Sequence, residues 1–182
     1  MNNWYVITGS PCSGITTIAE ALKERGMRVE YEVARIYIDE QMTLGKTLEE
    51  IRSDEENFQN IVYQKKIQRE EELSSDEIIF LDRGIPDTYA YHTLHGFEIS
   101  KDMDDILSSS EYKKVFYLEP FKFEKDYART EDREQAAKLS LLLKEAYERT
   151  PNEIVTIPIF DTKEERIEYF INYLKEHEGI EL

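Results

Sequence analysis

Gly9-Ser10-Pro11-Cys12-Ser13-Gly14-Ile15-Thr16-Thr17 is the stretch on which the fold of this chain turns. Before it, Trp4-Tyr5-Val6-Ile7-Thr8 is a short run of aromatic and β-branched residues that reads as a strand. After it, from about Thr16 to Arg25, Ile18, Ala21 and Leu22 give a helical stretch one apolar face. The stretch is thus a strand-to-helix turn. Its spacing matches the phosphate-loop pattern G-x-x-x-x-G-K-[ST] at every fixed position except one, where Ile15 stands in place of lysine.

Two halves of that motif do separate work. Glycines let the backbone curl so that main-chain N–H groups and a helix N-terminus face phosphates, whatever side chain follows Gly14. Thr16 falls where a hydroxyl holds Mg²⁺, so the cradle and the metal half are both expected to persist. The lysine ammonium would offset charge where a phosphoryl group transfers, which an aliphatic Ile15 does not do. Losing one such donor is expected to slow transfer by about 10²–10³-fold, with a weaker effect on binding.

Further along, Arg28 to Tyr31 is a weaker strand candidate and Val33 to Leu44 a helix. Ser53-Asp54-Glu55-Glu56 has capping-box spacing and opens a long helix, striped by Phe58, Ile61 and Val62, that is expected to run to about Leu73. Ile78-Ile79-Phe80-Leu81, Val115-Phe116-Tyr117-Leu118 and Ile154-Val155-Thr156-Ile157 read as strands buried on both faces. Ala136, Leu139, Leu143 and Ala146 mark another helix, and Thr162-Lys163-Glu164-Glu165 is a second capping box before Ile167, Phe170, Ile171 and Leu174. Strands alternating with helices predict an α/β fold, a mostly parallel sheet of about five strands with helices on both faces.

The composition bounds the answer from the other side. At 182 residues, 40% hydrophobic and with only 7 Gly and 5 Pro, the chain is expected to form one globular domain, residues 1–182. The net charge is −16, which repels a phosphodiester backbone and argues against nucleic acid as a partner. A small phosphorylated ligand stays open, because loop amides act well inside a Debye length. The single Cys12 and the lack of a long apolar stretch predict a cytoplasmic protein without a membrane span. The oligomeric state is left open.

Several side chains are candidates beside the loop. Asp82 ends the most apolar run, at the sheet edge where open α/β folds place ligands, and is read either as a metal-binding or catalytic carboxylate or as the cap of a following helix with Pro86 in its first turn. Arg83 and Asp87 add a cation and a carboxylate nearby. Glu32 could take a proton from an acceptor hydroxyl, and Arg35 could grip a phosphate or carboxylate, although a helix-start glutamate with a solvated arginine explains the pair as well. Arg129 and Arg133 flank Glu131-Asp132 in a polar segment that would either close over a nucleotide or make surface ion pairs. His92 and His95 lack a third ligand for zinc and read as a surface or packing pair, and Tyr89, Tyr91 and Phe97 either line a base pocket or, as is commoner at such spacing, belong to the core, so no role is assigned to them.

With Ile7-Thr8-Gly9-Ser10-Pro11 through Thr17, Glu32-Val33-Ala34-Arg35, Phe80-Leu81-Asp82-Arg83-Gly84, Pro86-Asp87-Thr88, and Arg129-Thr130-Glu131-Asp132 after Leu118-Glu119-Pro120, the chain resembles small P-loop AAA-type ATPase/kinase domains. These are related to the nicotinamide-ribonucleoside kinase part of NAD-biosynthesis regulators and to nucleoside and nucleotide kinases. The resemblance implies a P-loop NTPase three-layer sandwich with strand order 2-3-1-4-5 and a lid-like segment at about 119–134. It further implies γ-phosphoryl transfer from ATP or GTP with Mg²⁺ to a small-molecule acceptor, and a nucleotide cradle from Gly9 to Thr17. By the same resemblance Thr16 and Asp82 attend the metal, Glu32 or Asp82 is the base, Arg35 and Arg83 face the acceptor, and Arg129 and Arg133 belong to the lid. Ile15 departs from it. An engineered substitution, a natural loss of catalysis in a binding protein, and a lid arginine that has taken over the charge are three origins compatible with that departure. A nucleotide-sensing protein and a simple NTPase are the alternatives.

Overall fold

The computed structural model describes residues 2–120 and 133–182. Strands β1 (Trp4–Gly9), β2 (Arg28–Glu30), β3 (Ile79–Asp82), β4 (Lys114–Leu118) and β5 (Ile154–Ile157) form one sheet in the order β2-β3-β1-β4-β5, and every neighbouring pair is parallel. The helices are α1 (Ile15–Glu24), α2 (Val33–Thr43), α3 (Leu48–Ile51), α4 (Glu55–Glu72), α5 (Ile85–His95), α6 (Lys101–Ser109), α7 (Arg133–Glu148) and α8 (Lys163–Tyr173), followed by a π-helical turn over Leu174–Glu178.

Side chains alternate across a strand, so each strand feeds two cores. Tyr5 and Ile7 of β1 join Phe80, Phe116 and Leu118 under α1 and α8, where Ile18, Leu22 and Phe170 complete the cluster. Trp4 and Val6 point the other way, with Ile79, Leu81, Val115 and Tyr147. Beside them Ala90 of α5 and Leu139, Leu143 and Ala146 of α7 pack on Tyr117. Burial on both faces explains why the central strands read as unbroken apolar runs, each fully buried Leu, Ile or Phe stabilising by about 1.5–3 kcal/mol.

The positions expected from the sequence hold for the five strands and for α1, α2, α4, α7 and α8, with ends shifted by a few residues, but β5 is an edge strand with Thr156 exposed and is not buried on both faces as expected. One further detail is corrected. The N-cap of α4 is Asp54, whose carboxylate accepts from the Asn57 N–H at 3.0 Å, and not Ser53. The Ser53 hydroxyl instead donates to the Glu50 carbonyl at 2.8 Å and closes the end of α3. That short helix starts with its own capping box, Thr47 with Glu50. The helices α3 and α6 were not anticipated.

Candidate active site

At the carboxyl edge of the sheet, register places Ile7 opposite Asp82 on one side of β1 and Gly9 opposite Leu118 on the other. The connection from β1 runs to β2 on one side and that from β3 crosses to β4 on the other, which makes this edge the crevice of an open α/β sheet. The chain from Ser10 to Gly14 is neither extended nor helical: the Ser13 N–H donates to the Ser10 carbonyl at 3.2 Å, and Cys12 (φ 65°) and Gly14 (φ 85°) are left-handed. Such a turn collects main-chain N–H groups on its concave side. The ladder of α1 begins with the Ile18 N–H on the Gly14 carbonyl, so the amides of Ile15, Thr16 and Thr17 have no acceptor within the helix.

Two details of this turn suit a ligand-holding loop. A Cβ on Gly9 would lie 2.6 Å from the Leu118 carbonyl oxygen and 2.6 Å from Ser13 Oγ, so only glycine fits. Ser13 Oγ is itself buried and has no hydrogen-bond partner among the described residues. A buried hydroxyl left without a partner on a ring of amide donors fits an oxyanion. Ile15 turns away from this ring. It is 6% exposed and shares the core cluster of Ile18, Leu22, Leu118, Ile157 and Phe170.

Thr16 stands half-buried on the first turn of α1, and Asp82 ends β3 at the same edge. Their oxygen donors suit Mg²⁺, which takes one or two protein ligands and keeps several waters. Among the described residues no group of three or more His, Cys, Asp or Glu is arranged to hold a metal ion. Burial, with Glu32 close by, pushes the Asp82 carboxyl up to about 7. The helix-cap alternative for Asp82 does not hold, because the N-cap of α5 is Gly84.

Beside this turn lies a cleft whose lining includes Glu32, Arg35 and Arg83. Arg83, itself left-handed at φ 71°, forms an ion pair with Glu32 at 3.1 Å and another with Asp87 at 2.8 Å, and donates to the Gly9 carbonyl at 3.0 Å. One guanidinium thus ties the cleft to the phosphate turn. Asp87 is not among the cleft residues. It is fully buried, and its carboxylate accepts from Thr8 Oγ1 at 2.8 Å, the Gly84 N–H at 3.1 Å and the Tyr147 hydroxyl at 2.5 Å as well as from Arg83. Its geometry is that of a support under Arg83. Arg129 lies outside the described residues, as does most of the lid-like segment; of Arg133 only the backbone, at the start of α7, is described.

The AAA domain family matches residues 4–166 of the sequence. The chain belongs to that family. No curated protein matches it. Among solved structures, deoxyadenosine kinase from M. mycoides with dCMP and dCDP bound superposes with a TM-score of 0.66 at 16% identity, covering 94% of this chain and 98% of that one. Thymidylate kinase from Candida albicans gives 0.67 at 14% identity, covering 98% and 93%. NadR protein in complex with NAD and AMP-PNP gives 0.69 at 16% identity, covering all of this chain but 51% of that one, so this AAA domain spans about half of NadR. The fold is that of a P-loop kinase-like domain.

Some cleft residues escaped the sequence reading. Lys66 of α4 is 5% exposed and donates to the Gly84 carbonyl at 2.8 Å; burial lowers its pKa. Phe58, Val62 and Lys66 recur every four residues, so a lysine on an apolar stripe was the available signal. Arg52, bidentate on Glu55 at 2.6 and 2.7 Å and 4.5 Å above the Phe58 ring, also lines the cleft. So do Gln59, Thr88 and Tyr91. His92 spends its ring nitrogens on the Thr88 carbonyl at 2.9 Å and Asn60 Oδ1 at 3.2 Å.

Proposed function

We propose that this AAA domain is a phosphotransferase of the small-molecule kinase type, which binds ATP or GTP in the Gly9–Thr17 cradle and passes the γ-phosphoryl group to an acceptor in the adjoining cleft. The observation that carries the proposal is Arg83, whose guanidinium reaches the phosphate turn through the Gly9 carbonyl and the cleft through Glu32. A donor phosphate and an acceptor held on either side of it are adjacent, and adjacency is most of what phosphoryl transfer requires of a protein.

Main-chain amides from Ser10 to Thr17 and the Ser13 hydroxyl would bind the phosphates. Thr16 and Asp82 would hold Mg²⁺, which when bound neutralises charge on the β- and γ-phosphate oxygens. An acceptor oxygen bonds to the γ-phosphorus as the bond to the β–γ bridging oxygen breaks. Where the acceptor is a hydroxyl, Glu32 or Asp82 would take its proton. Arg35 would contact the acceptor, and Arg129 and Arg133 would serve a lid.

Ile15 favours a second reading, a nucleotide sensor without turnover. Both require that Mg-ATP or Mg-GTP raise the unfolding temperature of the full chain, since a ligand of the folded state alone stabilises it by mass action. No shift with either nucleotide would sink both. Binding followed by acceptor-dependent loss of the triphosphate selects the kinase, acceptor-independent phosphate release selects an NTPase, and binding without turnover across a panel of nucleosides and nucleoside monophosphates selects the sensor.

A further inference from the structure

Arg166 is one of the largest fully buried side chains of the protein, 2% exposed on the first turn of α8. Its guanidinium reaches three chain segments at once. Nη1 donates to the Ser13 carbonyl at 2.7 Å, inside the phosphate turn, while Nη2 donates to the Glu119 carbonyl at 2.6 Å, just after β4, and to the Ile157 carbonyl at 3.1 Å, at the end of β5. Nη1 also lies 4.0 Å from where a Cβ of Gly14 would stand. The fork is directly beneath the cradle, on the side away from its mouth.

The same helix face explains where the side chain of Ile15 went. Arg166 and Phe170 are four residues apart and share a face of α8. Phe170 belongs to the core cluster that contains Ile15, so α8 delivers an apolar contact under residue 15 and a cation under residues 13 and 14. Burial lowers the Arg166 pKa to about 10, which still leaves it charged at neutral pH.

We propose that Arg166 is the positioning residue of the phosphate turn and its resident positive charge, acting from beneath in place of the lysine that Ile15 displaces. It fixes the Ser13 carbonyl inward, which leaves the N–H groups of the turn directed outward, and it places a full charge behind those donors in a site with little water to screen it. The inference rests on the nucleotide reading of the cradle, and the experiment separates the two.

Calorimetry of the full chain with magnesium and inorganic tripolyphosphate reads the cradle without any contribution from a base or an acceptor. Arg166→Gln, which keeps hydrogen-bond donors and loses the charge, is expected to weaken tripolyphosphate binding by about 10- to 100-fold, and Arg166→Lys to stay within about 5-fold of the unaltered chain. Ile15→Lys is expected to strengthen binding more in the Arg166→Gln background than alone, because one cation does the work of the other. Unchanged affinity in Arg166→Gln, a larger loss in Arg166→Lys, or equal gains from Ile15→Lys in both backgrounds would overturn the inference while leaving the nucleotide reading intact. If Arg166→Gln does not fold, Arg166→Lys decides by the same limit. Failure of the unaltered chain to bind tripolyphosphate overturns the nucleotide reading itself, and this inference with it.

Discussion

Lys66, Glu70, Tyr112 and Tyr147 all spend polar atoms on or next to the three-residue turn Asp82-Arg83-Gly84. Lys66 donates to the Gly84 carbonyl, the Tyr147 hydroxyl accepts from the Gly84 N–H at 3.2 Å, and the Tyr112 hydroxyl accepts from the Ile85 N–H at 3.1 Å. A Cβ on Gly84 would meet the two hydroxyls at 2.9 and 3.0 Å, so this glycine is fixed by close approach and not by its backbone angles. The Tyr112 hydroxyl in turn donates to Glu70, 3.0 Å from each carboxylate oxygen. Burial wins over that hydrogen bond and pushes Glu70 up to about 7 from 4.5. The folded chain therefore keeps a proton that the unfolded chain has released across that window, and stability falls as pH rises from about 4.5 to about 7. Glu70→Gln removes the titration while its amide oxygen still accepts from Tyr112. Denaturant midpoints measured from pH 4.5 to 8 are expected to fall with pH in the unaltered chain by up to about 3 kcal/mol more than in Glu70→Gln. Parallel pH profiles for the two proteins would show that Glu70 is not held protonated.

Elements carry these residues to the site, and their ends decide how well. At the start of α8, Thr162 Oγ1 accepts from the Glu165 N–H at 3.2 Å and the Glu165 carboxylate accepts from the Thr162 N–H at 3.1 Å. Thr162→Ala breaks this exchange one turn before Arg166 and is expected to cost about 0.5–2 kcal/mol, read as a lower denaturant midpoint at unchanged slope. A midpoint equal to that of the unaltered chain would mean that the cap carries no weight. This box was legible in the sequence because nothing competes for Thr162, whereas Ser53 carries the same spacing and is claimed by the end of α3. The central strands β1, β3 and β4 were legible for a related reason: burial on both faces leaves no polar alternation to confuse them. The course of the turn from Ser10 to Gly14 was legible because glycine spacing marks where the backbone goes left-handed, as it does at Gly14. What stayed hidden were cations on apolar stripes, Lys66 in α4 and Arg166 in α8, since a helical pattern says which face is buried but not which carbonyls lie opposite. For Asp87 the same limit applies: its position near the sheet edge is evident from sequence, but not that Thr8 and Tyr147 donate to its buried carboxylate.

For the whole molecule the governing quantity is its charge, −16, set against the proposed ligand, a nucleoside triphosphate that is itself an anion. The two act over different ranges. Amides and the Ser13 hydroxyl act only at hydrogen-bond distance, where salt has little influence, while the summed field of the surface acts over tens of ångströms and is cut off at about 10 Å in 0.1 M salt. The acidic surface should therefore slow the approach of a nucleoside triphosphate without weakening its grip once seated. Stopped-flow binding of a fluorescent ATP analogue with Mg²⁺ separates the two effects, because approach appears in the association rate and grip in the dissociation rate. Raising salt from about 20 to about 200 mM is expected to increase the association rate several-fold and to change the dissociation rate by less than about 2-fold. An association rate that falls with salt would mean that the arginines of the cleft, Arg35, Arg52 and Arg83, outweigh the rest of the surface at the mouth of the site. The long-range field would then belong to the cleft and not to the chain as a whole.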